Sequence, residues 1–186
     1  MATVISTALS AEHTFTKQSV SAINLIEGLG VEGDCHLGKN VQHRSRLHIQ
    51  PPPANLRQVH LIQNEILISN ELKAAEIGEN ITTQGVDLLS LGKGTKLHFL
   101  DPLVAEEVAM AAKHPVVTVT GLRNPCPQIE KHRKGLQEVF VERDDERKIV
   151  GRKAGVMSTV TTGGRVIPGM KIVVEGPAEH EPLACV

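Results

Sequence analysis

The sequence is poor in aromatic residues: three phenylalanines, Phe15, Phe99 and Phe140, and no tyrosine or tryptophan among 186 residues. A single-stranded nucleic-acid groove built on stacked rings is therefore excluded, and the core must be aliphatic. The chain also lacks a charge surplus. Lys and Arg number 20 against 21 Asp and Glu, so no net field draws it to DNA or to an anionic membrane. No apolar run approaches the ~18 residues of a membrane span. Met1–Lys17 lacks the apolar centre of a signal peptide, and no arginine precedes Arg44. The three cysteines, Cys35, Cys126 and Cys185, are odd in number, widely spaced and without a Cys-x-x-Cys pair. They read as free thiols of a reducing compartment, which predicts a cytoplasmic protein.

What is present fits one strand-rich domain over residues 1–186, with a core at about 20–175 and a tail at 176–186. Thr3–Ala8, Ser19–Glu27, Leu56–Ile62, Glu79–Thr83, Thr95–Leu100 and the β-branched run Val116–Leu122 read as strands. Helical spacing runs over Asn64–Ala75 and from Pro127 until Gly135 interrupts it. Asp101-Pro102 has the form of a helix N-cap followed by proline, predicting a helix to Lys113. The final strands, separated by Gly163-Gly164 and Pro168-Gly169, predict a β-meander. The expected fold is mainly β with a few helices, a closed or partly closed barrel.

Residues 28–53 have little periodicity and concentrate Gly, His, Arg and Pro, which predicts a long functional loop or lid. The string Gly28-Leu-Gly30-Val-Glu-Gly33 matches the dinucleotide fingerprint but is followed by poor helix formers, so that reading fails. Its glycines instead shape a turn that points Asp34 and His36 inward. Leu91-Gly92-Lys93-Gly94-Thr95 lacks the spacing of a phosphate loop and reads as a hairpin turn. Asp34, Cys35, His36, His43, His48 and His60 are either zinc candidates without paired ligand spacing or hydrogen-bonded histidines. Lys39, Arg44, Arg46 and Arg57 either grip an anion or form a solvated basic loop.

Cys126 lies in Thr120-Gly-Leu-Arg123-Asn124-Pro-Cys126-Pro127, between a buried strand and a helix start. A helix N-terminus with Arg123, Lys131 and Arg133 nearby favours the thiolate, the form that binds soft metals or attacks sulfur and carbon. The alternative is a buried structural cysteine.

Taken together, Gly30-Val-Glu-Gly-Asp34-Cys-His36, Arg57-Gln-Val59, Gly78-Glu-Asn80-Ile-Thr82-Thr83 and Asp87-Leu-Leu-Ser-Leu-Gly92 resemble the MOSC domain, named for the C-terminal domain of molybdenum cofactor sulfurases. The likeness continues through Thr120–Cys126 and Ala154-Gly-Val-Met157 to Gly163-Gly-Arg165 and Pro168-Gly-Met170. It implies a β-barrel-like fold and one functional cysteine, Cys126. That cysteine would either ligate molybdenum in a pterin cofactor or carry sulfur as a persulfide.

It further implies that Arg57, Asn80, Thr82, Arg123 and Asn124 line the cofactor pocket and that Asp34 and His36 shape its mouth, with His36 a proton source. The implied reaction is two-electron reduction of an N-hydroxylated small molecule, with electrons from a separate reductase. A sulfur donor replaces that reductase if Cys126 is a carrier, and a non-catalytic cofactor-binding module is a third reading. The sulfurases' pyridoxal phosphate domain and the second β-barrel domain of the mitochondrial amidoxime reducers have no counterpart here, so pyridoxal phosphate is not expected in this chain. Cys35 stands where many relatives have a smaller residue, and Asp101–Lys113 reads as an insertion.

Overall fold

In the computed structural model, described for residues 1–42 and 48–186, the strands close into a mixed barrel. Chain order gives β1 (Thr3–Leu9), β2 (Gln18–Val20), β3 (Ile23–Ile26), β4 (Gly30–Val31), β5 (Val59–Gln63), α1 (Asn64–Ser69) and β6 (Ile81–Gln84). There follow β7 (Lys96–Leu100), α2 (Glu106–Ala111), β8 (Val116–Leu122), α3 (Pro127–His132) and α4 (Leu136–Val139). The last elements are β9 (Val141–Arg143), β10 (Ile149–Arg152), β11 (Val156–Thr162), β12 (Gly164–Val166) and β13 (Lys171–Glu175).

Seven strands circle in the order β13-β7-β8-β11-β5-β6-β1, and pairing of Thr3 with Lys171 joins the ends. Only β5 and β6 among them run parallel, with Leu61 opposite Ile81. Closure removes the exposed edges of an open sheet. Strand alternation then decides which side chains fill the interior. Val59, Leu61, Ile81, Val117, Val119 and Val156 pack inside as one aliphatic cluster around Phe99. The opposite face of β5 points outward, where Ile62 packs with Leu67, Ile77, Ile129 and Phe140 beneath the helices. His60 shares that outward face, which sets the location of the site.

The closing strands differ from the predicted meander. β11 pairs with β5 and β8, β12 with β3, and β13 with β7 and β1. Turn residues mark where a strand ends; they do not select its partner, and barrel closure assigns these three strands to distant ones. The turn at 91–95 likewise joins no hairpin, because β6 and β7 are not neighbours. The predicted strand at 19–27 is broken into β2, on β1, and β3, on β12.

Two helices are shorter than expected. Asp101 Oδ1 accepts from the Leu103 backbone N–H at 2.9 Å, closing an Asx turn, so α2 begins one turn later behind Ala105. In α1, Asn70 Nδ2 donates to the Ile66 carbonyl at 2.8 Å and Glu71 adopts a left-handed φ of 55°, which ends the helix at Ser69. Among the described residues no helix is long and apolar enough to cross a membrane.

Candidate functional site

A cavity of about 80 Å³ lies against the outer wall of the barrel. Its floor is β5 and β11, where His60 and Met157 are register partners and both line it. Its walls come from residues 14–17, 36–42, 55–57 and 123–128. Two glycines permit this close approach. At Gly155 (φ 87°) a Cβ would lie 2.2 Å from the Leu61 carbonyl oxygen and 3.0 Å from His60 Nε2. At Gly78 (φ 84°) it would lie 2.4 Å from the Phe15 carbonyl oxygen.

Of the residues singled out by sequence, Cys126, Arg57, Arg123, Asn124, Asn80 and His36 line this one cavity. Cys126 is half-buried and caps α3, its carbonyl accepting from the Ile129 N–H at 3.0 Å. Arg123 is buried at the end of β8, its backbone N–H donating to the Gly155 carbonyl at 3.0 Å. Burial pushes its pKa down to about 10; Cys126 opposes the shift and Arg57 adds to it, so the guanidinium remains charged at neutral pH. Its Nη1 is buried without a hydrogen-bond partner among the described residues. An orphaned charged donor of this kind is costly unless a ligand satisfies it.

Asp34 sits behind the lining. Oδ2 accepts from Lys17 Nζ, from Asn80 Nδ2 at 3.1 Å and from the Ser10 N–H at 3.2 Å. Oδ1 accepts from the His36 N–H at 3.0 Å, with His36 Nδ1 at 3.2 Å. Burial alone would raise the Asp34 pKa, but the bonds from His36 and the Lys17 charge hold it well below the carboxylate range. Asn80 is a hub: Nδ2 also donates to the Ala8 carbonyl at 3.2 Å and Oδ1 accepts from the His60 N–H at 3.1 Å. Both its N–H bonds are thus taken within the protein. Thr82 is buried opposite Ile62 and donates to Glu79 Oε1 at 3.0 Å; it is not among the cavity-lining residues. Burial raises the Glu79 pKa against its hydrogen bonds and the Arg123 charge.

Sequence reasoning missed Lys17, Asn55, Gln128 and Met157 as lining residues and saw in His60 only a member of the zinc cluster. Asn55 clamps the turn after His36, Nδ2 donating to the carbonyls of His36 at 2.9 Å and Gly38 at 3.0 Å. His60 Nε2 lies 2.8 Å from the Ala154 carbonyl, an acceptor only, so Nε2 carries the proton and Nδ1 presents a lone pair. Burial, reinforced by Arg123, holds its pKa well below the ordinary value, so the ring is neutral. Burial and then Asp34 push the Cys35 thiol up to about 11. Cys185 is exposed and bridges to Leu122, so the tail lies along the end of β8. His43, Arg44 and Arg46 lie outside the described residues.

The arrangement is thus a small polar cavity with one half-buried thiol, two guanidiniums and one neutral imidazole. It can hold an anion, and its donor set of soft sulfur with cationic neighbours suits a thiolate-bound group carrying negative oxygens.

The class this fold defines is a mixed seven-stranded β-barrel. Solved structures of that class include the YuaD protein from Bacillus subtilis, with TM-score 0.67 and 19% identity over 95% of this chain and 97% of that one. YiiM from Geobacillus stearothermophilus matches with TM-score 0.60 and 14% identity over 94% of this chain and 75% of its own. YiiM from Escherichia coli gives 0.57 and 15%, over 97% and 73%. At these identities the likeness establishes the fold alone. No protein-family model matches the chain, and no curated protein sequence does.

Proposed function

We propose that this chain is a single-domain MOSC-type protein that holds a molybdenum–pterin cofactor through Cys126 and reduces N-hydroxylated compounds with an external electron donor. The observation that carries the reading is that Cys126, Arg57 and the buried Arg123, whose Nη1 has no hydrogen-bond partner among the described residues, line one cavity. When bound, the molybdenum centre would supply the redox chemistry of N–O cleavage.

The chain's own residues have separable tasks. Cys126 would be the protein's ligand to the metal. Arg57 and Arg123 would bind the negative oxygens of the group, in a pocket where desolvation strengthens each contact. Neutral His60 forms part of the floor. His36, about a third exposed at the rim, transfers a proton between solvent and substrate. Converting N–OH to N–H consumes two electrons and two protons and releases water. A separate reductase supplies the electrons, since the chain has no flavin, nicotinamide or iron–sulfur motif.

A second reading draws support from the cavity's size. Small-molecule pockets usually span ~300–1,000 Å³, and about 80 Å³ holds an oxyanion or the metal end of a larger group. A pterin is larger than this volume. A Cys126 persulfide fits within it, and the chain would then be a sulfur carrier.

Molybdenum and pterin content of the wild type against Cys126→Ser, after expression with abundant cofactor, tests both. Stoichiometric molybdenum lost in the variant supports the reductase. Labile sulfur on Cys126 without metal supports the carrier. Neither signal overturns both.

A further inference from the structure

At the rim of the cavity, the loop after β1 brings His13 to the turn after β4, which carries Cys35 and His36. A ring nitrogen of each histidine and the Cys35 sulfur lie within 4.8 Å of one another. Cys35 Sγ is 3.2 Å from His36 Nδ1, although the two residues are adjacent in sequence. The imidazole rings meet edge-on, with centroids 5.4 Å apart and planes at 85°. Tetrahedral zinc with Zn–S near 2.3 Å and Zn–N near 2.05 Å requires ligand-to-ligand edges of about 3.3–3.6 Å. The Cys35–His36 edge is already close to that spacing, and the His13 ligand atom lies within 4.8 Å of both.

The two loops are fastened together before any ligand arrives. The Cys35 N–H donates to the Ser10 carbonyl at 2.8 Å, and the Ser10 N–H donates to Asp34 Oδ2 at 3.2 Å. Ser10 Oγ and Thr14 Oγ1 are 3.0 Å apart across the loop that holds His13. Asp34 Oδ1 lies 3.2 Å from His36 Nδ1 and 3.9 Å from Cys35 Sγ, placing a carboxylate beside the cluster as outer support. All three ligand residues are half-buried, so a cation can reach them from solvent. The cavity chemistry proposed above uses neither His13 nor Cys35.

We propose that His13, Cys35 and His36 form a mononuclear site for Zn²⁺, with water as the fourth ligand. Mixed thiolate and imidazole ligation selects a borderline-soft cation over Mg²⁺ or Ca²⁺. Binding releases the Cys35 thiol proton to solvent and changes no oxidation state. His36 Nδ1 exchanges its contact with Asp34 Oδ1 for the metal, while the His36 N–H keeps Asp34 in place. Because His36 also lines the cavity, the occupied site withdraws that ring from the cavity mouth.

The test uses chelator-treated full chain and Co²⁺ as the spectroscopic probe, followed by Zn²⁺ displacement. One equivalent of Co²⁺ per chain with a thiolate charge-transfer band and tetrahedral d–d bands is expected. That band should vanish in Cys35→Ser, fall in His13→Ala, and persist in Cys126→Ser. X-ray absorption of the Zn²⁺-loaded wild type should give one sulfur and two imidazole nitrogens, a readout independent of how the variants fold. No stoichiometric band, a band that follows Cys126 rather than Cys35, or a shell of nitrogen and oxygen alone overturns the assignment. The molybdenum assay on Cys126 fails or succeeds independently of these results.

Discussion

The Nε2–H of His60 donates to the Ala154 carbonyl at 2.8 Å, and this bond decides which face of the imidazole meets the cavity. The contact requires the chain to pass immediately over the ring, which it does at Gly155 with φ 87°. Gly155→Ala would place a Cβ 2.2 Å from the Leu61 carbonyl oxygen. We expect this substitution to lower stability by at least ~2 kcal/mol, from left-handed strain plus displacement of β11 from β5. Urea denaturation reads the change in midpoint; an unchanged midpoint would contradict the register described for these strands.

Lys17 is the cationic partner of Asp34, and both side chains are buried. Lys17→Met leaves the Asp34 carboxylate without its ion-pair partner and should cost about 3 kcal/mol. Lys17→Met combined with Asp34→Asn should recover a substantial part of that loss. Four denaturation curves, the wild type, the two single variants and the double, close the cycle.

Acid sensitivity should follow from the same carboxylate. The folded pKa of Asp34 is held below the unfolded value of ~3.9, so its contribution is present in full above about pH 5. It is lost as the pH falls through the unfolded value toward the folded one, since the unfolded chain then binds the proton more readily. A pH series of unfolding midpoints should show a steep acid limb in the wild type and a shallower one in Asp34→Asn.

Arg123 should control oxyanion binding. Tungstate or sulfate is expected to raise the melting temperature of the wild type, and Arg123→Gln should weaken that binding at least ~10-fold, the effect of losing one charge-assisted hydrogen bond. Isothermal titration with the same anion gives Kd directly. Equal affinities in both proteins would mean that the anion does not meet Nη1.

Cys35 should alkylate slowly at pH 8 in metal-free protein, because a thiol at about 11 is ionised there to only ~0.1%. Its labelling rate should climb about tenfold per pH unit until that value is reached. Peptide mass spectrometry after timed iodoacetamide exposure follows Cys35 separately from the other two cysteines. A rate independent of pH between 8 and 10 would exclude the burial and the Asp34 contact described for the thiol.

The sequence already indicated a strand-rich barrel, because β-branched alternation and glycine turns are local signals that act within a few residues. Val116–Leu122 and the helix from Pro127 were legible on that basis, although that helix ends at His132, before Gly135, which instead caps α4. So was the position of Cys126 at a strand-to-helix corner, with prolines on both sides in one stretch of chain.

Strand partnership was not legible. β13 pairs with β7 and β1, residues remote in sequence, and nothing at Pro168-Gly169 encodes that choice. Lys17 was hidden for the same reason: an isolated lysine has no local pattern, and its meaning comes from Asp34, 17 residues away. His60 looked like one of several histidines until strand alternation and the bond to Ala154 set it in the cavity floor, where burial keeps it neutral. Local sequence, then, determined which segments extend, which coil and where the Cys126 sulfur stands. Tertiary closure decided which charges face that sulfur, because desolvation and ion pairing depend on neighbours that only the closed barrel brings together.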